Sequence, residues 1–176
     1  MPVERLLEEL NRVVDISRQE PPPSSFLSLL ETHEWLDEHF LLHQEALLAQ
    51  DLLLALQILE KVEEGQREHI RVEEEILLPV YARAGQIPGG NPEFYINEHR
   101  KMLTILDGFK ETLPRLIEKS PGERRREIIE LFDQGYWFKR LLEHHDNREE
   151  NILYPVLDGV TSEEEREELL EKCFPE

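Results

Sequence analysis

The chain has 176 residues, of which 39 are acidic and 20 are basic, and its formal net charge is −19. This length is typical of a single domain, and a hydrophobic content of 39% is enough to fill a core, which excludes a wholly disordered chain. Because so negative a surface repels the phosphates of nucleic acids and the head groups of anionic lipids, we expect neither nucleic acid nor a membrane as a partner.

Hydrophobic residues recur with helical periodicity along the whole chain, and no segment alternates long enough to predict a β-strand. Prolines, glycines and helix-capping residues divide the chain into six predicted helices. They cover approximately residues 3–18, 24–48, 52–79, 91–119 and 120–155, with a short last helix that begins at residue 162.

Three helix starts depend on specific capping signals. Asn91 can cap a helix that has Pro92 at its first position, where a missing N–H costs nothing. Ser120 and Ser162 each open an S-x-x-E sequence, which is typical of a capping box. Pro114 predicts a kink in the helix that Asn91 begins.

Four long helices with short connections predict an all-α protein, an antiparallel up-down four-helix bundle with extra N-terminal and C-terminal helices. We expect three segments: an N-terminal helix and proline-rich linker at residues 1–23, the bundle at 24–158 and the C-terminal helix at 159–176. The sequence has no apolar run that resembles a secretory signal or a membrane span, and its single cysteine, Cys173, cannot form an internal disulfide. We therefore expect a cytoplasmic protein, monomeric or homodimeric, and leave a protein partner open.

An internal repeat is the most informative feature of the sequence. Segments 69–80 and 145–156 are identical at seven of twelve positions, where chance gives about one. Each copy contains a histidine followed four residues later by a glutamate, a spacing that places both side chains on one helix face. The pairs are His69 with Glu73 and His145 with Glu149.

A further histidine precedes each copy on the neighbouring helix. In two antiparallel helices, residues at equal distances from the connecting turn lie side by side. The position halfway between His99 and His145 in the sequence falls in the predicted turn, so these two histidines should lie level with each other. On the first two bundle helices, the same test is applied to His69. The position halfway between His33 and His69 falls in the predicted turn, whereas the positions halfway from His39 or His43 to His69 fall inside an apolar run, so His33 fits best. Four imidazoles and two carboxylates can therefore converge in the interior.

Such a set of side chains is typical of a metal site. Two buried glutamates need a counter-charge, which a metal ion supplies. Nitrogen and oxygen donors without thiolates suit iron, manganese or zinc, and carboxylates on facing helices can bridge two ions. We favour two irons over one zinc. Glu74, Glu98 and Glu150 are near enough in the sequence to be candidates for orienting the histidines, although Glu74 and Glu150 could also face solvent.

The chain resembles the hemerythrin-like family of HHE cation-binding domains over roughly residues 24–158. The signature of that family is a histidine on one helix followed by H-x-x-x-E-E-x-x-L-x-P on the next, in two copies. The residues that carry it here are His33, His69, Glu73, Glu74, Leu77, Pro79, Glu98, His99, His145, Glu149, Glu150, Leu153, Tyr154 and Pro155.

The resemblance implies a non-haem site with two iron ions (Fe²⁺/Fe³⁺), bridged by Glu73, Glu149 and an oxo or hydroxo group. The terminal ligands it implies are His33, His69, His99 and His145, with His39 as an alternative or additional ligand. Oxygen-carrying members have an H-x-x-x-H sequence on the third bundle helix, whereas this chain has Leu103 in place of the second of these histidines. The remaining set of four histidines and two glutamates leaves a coordination position open on each iron.

Four functions are consistent with this site. We predict a protein that binds O2 or NO for storage, delivery or sensing. The alternatives are a di-iron oxidoreductase acting on O2, peroxide or NO, and an iron-storage or iron-centre repair protein, so enzymatic activity stays open. A metal-free helical scaffold is the fourth hypothesis, and it predicts that added iron leaves the stability unchanged.

Overall fold

The computed structural model describes residues 24–174, and all regular structure in this range is helical, without any β-strand. The α-helices are α1 (Leu30–Leu48), α2 (Leu52–Val72), α3 (Leu78–Tyr81), α4 (Pro92–Ile117), α5 (Arg125–Arg148), α6 (Tyr154–Val160) and α7 (Glu163–Cys173). Short 3₁₀ segments are present at Phe26–Leu29 and Ala82–Ala84. The prediction of an all-helical protein is confirmed, and the helix predicted at 3–18 lies outside the described residues. None of the described helices has both the length and the apolar composition needed to cross a membrane.

Side-chain caps fix the starts of three of the seven described α-helices, α2, α4 and α7. Asn91 and Ser162 accept hydrogen bonds from the backbone N–H groups two and three residues later, as the sequence predicts. The predicted start at Ser120 is wrong, since α5 begins at Arg125. The Ser120 hydroxyl donates to the Glu123 carboxylate instead of capping the helix, and the Ser120 carbonyl accepts from Glu123 N–H at 3.0 Å, which closes a turn.

Both helices that were predicted to end at prolines continue past them. A π-helical turn joins α2 to α3 at Glu73–Leu77, and another joins α5 to α6 at Glu149–Leu153. A proline lacks the N–H group and its ring clashes with the carbonyl four residues earlier. The wider π turn accommodates Pro79 and Pro155, because the residue before each proline donates its N–H to the carbonyl five residues earlier.

The four long helices pack against one another around a shared interior. Helix α1 contacts α2 and α5, and α4 also contacts α2 and α5, so that each long helix has two long neighbours. Two apolar clusters fill the interior. The Phe40 cluster comprises Phe40, Ala46, Leu47, Leu52, Ala55, Ile58, Leu59, Val62, Met102, Leu106, Phe109, Leu113, Leu116, Ile128, Leu131, Phe138 and Leu142. The Leu153 cluster comprises Phe26, Leu29, Val72, Leu77, Leu78, Val80, Tyr81, Tyr95, Leu153, Tyr154, Leu157, Leu169, Leu170 and Cys173.

His43 lies inside the Phe40 cluster and has no exposed surface. Its Nδ1–H donates to the Ala55 carbonyl oxygen at 2.8 Å, and its ring packs against Phe40 and Phe109. Burial disfavours the charged imidazole and lowers the pKa of His43 to about 4, although the hydrogen bond to Ala55 opposes this change. His43 is therefore a neutral core residue.

Replacing His43 with asparagine should make stability less sensitive to acid. Below about pH 6.5 an unfolded histidine takes up a proton, whereas folded His43 stays neutral until about pH 4, so the free energy of unfolding falls as the pH decreases between these values. The full effect is about 3 kcal/mol. The asparagine amide keeps a donor for the Ala55 carbonyl but does not titrate. Urea denaturation of both proteins from neutral pH to about pH 4 measures the difference, and a difference that is constant with pH would contradict this assignment.

Candidate metal centre

The structure brings the six predicted ligands together in the interior. All six are buried, with exposed fractions of 6% or less. Their side chains form two overlapping groups, in each of which one donor atom per residue lies within 4.8 Å of the others. The His33 group comprises His33, His69, Glu73 and Glu149, and the His99 group comprises Glu73, His99, His145 and Glu149.

The centre forms a polar layer between the two apolar clusters. On α4, for example, His99 follows Tyr95 of the Leu153 cluster and precedes Met102 of the Phe40 cluster. On α5, His145 likewise follows Leu142 of the Phe40 cluster. The hydrophobic side chains on both sides keep water from the polar atoms, so electrostatic interactions within the layer are strong.

The two histidines of each group have their Nε2 atoms close together. The distance is 2.8 Å between His33 and His69, and 3.2 Å between His99 and His145. The four imidazoles therefore converge on one region of the interior.

The two shared glutamates each face both groups with different oxygens. Glu73 Oε1 lies 3.3 Å from His69 Nε2, and Glu73 Oε2 lies 3.1 Å from His99 Nε2. Glu149 Oε2 lies 3.1 Å from His33 Nε2, and Glu149 Oε1 lies 2.7 Å from His145 Nε2. This is the arrangement that a carboxylate needs in order to bridge two ions.

The donor set fits metal ions better than it fits hydrogen bonding within the protein. Among the described residues, Glu149 Oε1 has no hydrogen-bond donor although His145 Nε2 is 2.7 Å away, because the two atoms do not align for a hydrogen bond. No lysine or arginine in the described range pairs with Glu73 or Glu149. Both atoms of the misaligned pair are instead placed as two ligands of one cation would be.

Without a metal, protons provide the positive charge of the centre. Burial disfavours a charged His33, but the hydrogen bond and charge of Glu149 outweigh burial and raise the pKa of His33 to about 9. Burial dominates at His69 and lowers its pKa to about 4. Burial alone would raise the pKa of Glu73, but the surrounding imidazoles, His69 first, hold it well below its usual range. A metal that binds here must therefore displace protons.

Tyr154 is a member of the centre that sequence reasoning did not assign. Its hydroxyl donates to Glu73 Oε1 at 2.9 Å, and its oxygen lies 3.2 Å from Glu149 Oε2 and 3.3 Å from His33 Nε2. In an α-helix, a residue five positions after Glu149 lies about 140° away around the axis. The π turn stacks residues five apart, which places Tyr154 beside Glu149. The sequence does contain one indication of this role: the second repeat copy has Tyr154, with a polar hydroxyl, where the first copy has Leu78.

Two outer carboxylates orient the histidines of the His99 group. His99 Nδ1–H donates to Glu74 at 2.8 Å, and His145 Nδ1–H donates to Glu98 at 3.0 Å. Arg148 also donates to Glu98, at 2.6 Å. These bonds leave the Nε2 lone pairs facing the centre, as metal ligation requires.

The corresponding contacts in the His33 group are weaker. The nearest carboxylate to His33 Nδ1 is that of Asp146, at 3.6 Å, which is too long for a hydrogen bond. Glu150, which occupies the repeat position of Glu74, is exposed. Of the three candidate carboxylates, Glu74 and Glu98 contact histidines and Glu150 faces solvent.

The structure does not bring His39 into either group. His39 is buried, its Nδ1–H donates to the carbonyl oxygen of Trp35 at 2.7 Å, and its ring stacks on the Trp35 indole with centroids 3.8 Å apart. Both interactions hold the imidazole against its own helix. The sequence favoured His33 over His39 and His43, and in the structure His33 is the one of these three that lies in a ligand group.

The family model described as the hemerythrin HHE cation binding domain matches residues 3–157 of the chain. No curated protein and no solved structure matches the chain. The matched range includes all six residues of the two groups, and it confirms the resemblance that the repeat indicated.

The two equivalent glutamates of the repeat should differ in their effect on metal binding. Replacing Glu74 with alanine removes the acceptor that orients His99, which should lower the affinity for ferrous iron about 10- to 100-fold. Replacing Glu150 with alanine is the matched control and should leave the affinity unchanged, since Glu150 is exposed. Competition with a coloured chelator in the absence of oxygen measures both affinities, and equal losses would contradict the assigned role of Glu74.

Proposed function

The chain belongs to the hemerythrin HHE cation-binding family, and from this premise we propose that it is a non-haem di-iron protein that binds O2 or NO. The observation that carries the proposal is that Glu73 and Glu149 each direct one oxygen to the His33 group and the other to the His99 group. Two ions that share both carboxylates account for all six buried ligands, whereas one ion leaves two histidines without a role.

The arrangement gives each ion four donors from the protein. These are two imidazole nitrogens and one oxygen from each glutamate. Imidazole and carboxylate donors suit iron, which commonly has six ligands, so that positions stay free on each ion. When bound, the iron pair supplies these open positions and the electrons that O2 or NO binding requires. The protein itself holds the ligands, fixes their orientation through Glu74 and Glu98, and excludes water through the apolar clusters.

The space beside the centre is closed. A narrow cleft there is lined by His33, His69 and His145 together with Asp37, which is exposed. The cleft contains no space for a sphere the size of a water molecule, so even a diatomic molecule reaches the centre only when side chains move. This closure is consistent with a small ligand.

A di-iron oxidoreductase acting on O2, peroxide or NO is the second candidate function. The observation that favours it is the Tyr154 hydroxyl, an oxidisable group 2.9 Å from Glu73. A binding protein returns its ligand unchanged, whereas an oxidoreductase consumes it. Following the gas concentration over several equivalents of ligand separates the two functions.

We further propose that α1, α2, α4 and α5 form an antiparallel four-helix bundle that occupies residues 24–158, flanked by additions at 1–23 and 159–176. The support is that consecutive long helices contact each other and that the connections between α1 and α2, and between α4 and α5, are short.

Protein purified without oxygen and without an affinity tag should contain about two iron ions per chain. Replacing His69 with alanine removes one ligand of the His33 group and should lower the iron content to about one ion or less. Replacing His39 with alanine is the matched control, because His39 is a buried histidine outside both groups, and this variant should keep the iron content of the wild type. Elemental mass spectrometry measures all three.

The same iron-loaded protein tests gas binding. Ferrous protein should change its visible absorption when O2 or NO is added, and removal of the gas should restore the starting spectrum. Absence of iron in the wild-type protein, with no uptake of added ferrous iron, would contradict the proposal. Continuous consumption of the gas would favour the oxidoreductase over the binding protein.

A further inference from the structure

We infer that Tyr154 is a ligand of the iron site, bound through its phenolic oxygen to the ion of the His33 group. The inference rests on the proposed function, because it requires iron at the centre. It concerns a residue that lies outside the set of four histidines and two glutamates.

The position of the Tyr154 oxygen relative to the other donors carries this inference. The oxygen lies 2.9 Å from Glu73 Oε1, 3.2 Å from Glu149 Oε2 and 3.3 Å from His33 Nε2. Glu149 Oε2 and Glu73 Oε1 are the oxygens that face the His33 group. Adjacent ligands of a six-coordinate ion with bonds of about 2.1 Å are about 3 Å apart. The phenolic oxygen is thus spaced from three donors as a further ligand of the same ion.

The backbone holds the phenol in this position. Tyr154 N–H donates to the carbonyl of Glu149, which links the tyrosine directly to the glutamate through the π turn. The ring has no exposed surface and belongs to the Leu153 cluster, in which Leu153 and Leu157 are also fully buried. A side chain so tightly packed keeps its oxygen at the centre without a further ordering cost when iron binds.

Coordination exchanges one bond of the phenol for another. The O–H bond breaks, the oxygen donates an electron pair to ferric iron, and the proton is released to solvent. The oxidation states of iron and tyrosine do not change in this step. Hydrogen bonding alone, with the proton kept between Tyr154 and Glu73, is the competing role and gives a different optical spectrum.

Ligation by Tyr154 makes the two ions inequivalent. The repeat position of Tyr154 in the first copy is Leu78, a buried side chain without a donor atom. Of the four histidines, only His33 lies within hydrogen-bond distance of the tyrosine oxygen. The ion of the His33 group then has five protein donors and the ion of the His99 group has four. A diatomic ligand therefore has more free positions on the ion of the His99 group.

The optical spectrum of ferric protein tests this ligation directly. Iron-loaded wild-type protein, once oxidised, should show a visible phenolate-to-iron charge-transfer band whose resonance Raman spectrum contains tyrosine ring modes. Replacing Tyr154 with phenylalanine should abolish the band while the iron content stays at about two per chain. Replacing Tyr95 with phenylalanine is the control, because Tyr95 is equally buried but its hydroxyl has no hydrogen-bond partner among the described residues, and this variant should keep the band.

A second variant carries the test if the Tyr154 substitution prevents folding. The sequence has four tyrosines, so replacing Tyr81, Tyr95 and Tyr136 together with phenylalanine leaves Tyr154 alone. The band should persist in this protein. Iron-loaded wild-type protein without the band, or a band that survives replacement of Tyr154, would overturn the inference and leave the di-iron proposal intact. Wild-type protein that takes up no iron would overturn both.

Discussion

The structure depends on two carboxylates buried at the centre of an apolar interior. Glu73 and Glu149 have no exposed surface, and the removal of each charge from water costs several kcal/mol unless positive charge compensates it. In the described part of the chain, imidazoles and one phenol are the groups that contact them. Two features follow from this requirement. The four histidines lie at the same height in the interior as the glutamates and compensate their charge, and the two apolar clusters enclose this layer from both sides.

Much of the site could be predicted because its central spacing is local. Residues four apart share a helix face, so His69 with Glu73, and the equivalent pair of the second copy, could be assigned from the sequence. The choice of His33 required only the length of the turn between two helices. The helical class followed from periodicity, and the family match confirms the resemblance. Local rules thus account for the six predicted ligands.

What could not be predicted depends on non-α backbone and on tertiary neighbours. Tyr154 reaches the centre because a π turn changes the face that it occupies, and α-helical geometry places it elsewhere. Glu74 and Glu150 are equivalent in the repeat, yet only Glu74 faces a histidine, since His99 on α4 is its neighbour. The start of α5 at Arg125 depends on a side-chain bond within the preceding turn. None of these is encoded in the spacing of residue types alone.

X-ray diffraction from crystals of the iron-loaded protein can show whether two metal ions share Glu73 and Glu149. Anomalous difference maps at the iron absorption edge should show two peaks per chain, one against His33 and His69 and the other against His99 and His145. A single peak, peaks elsewhere, or a map without peaks from protein shown to contain iron would contradict the account.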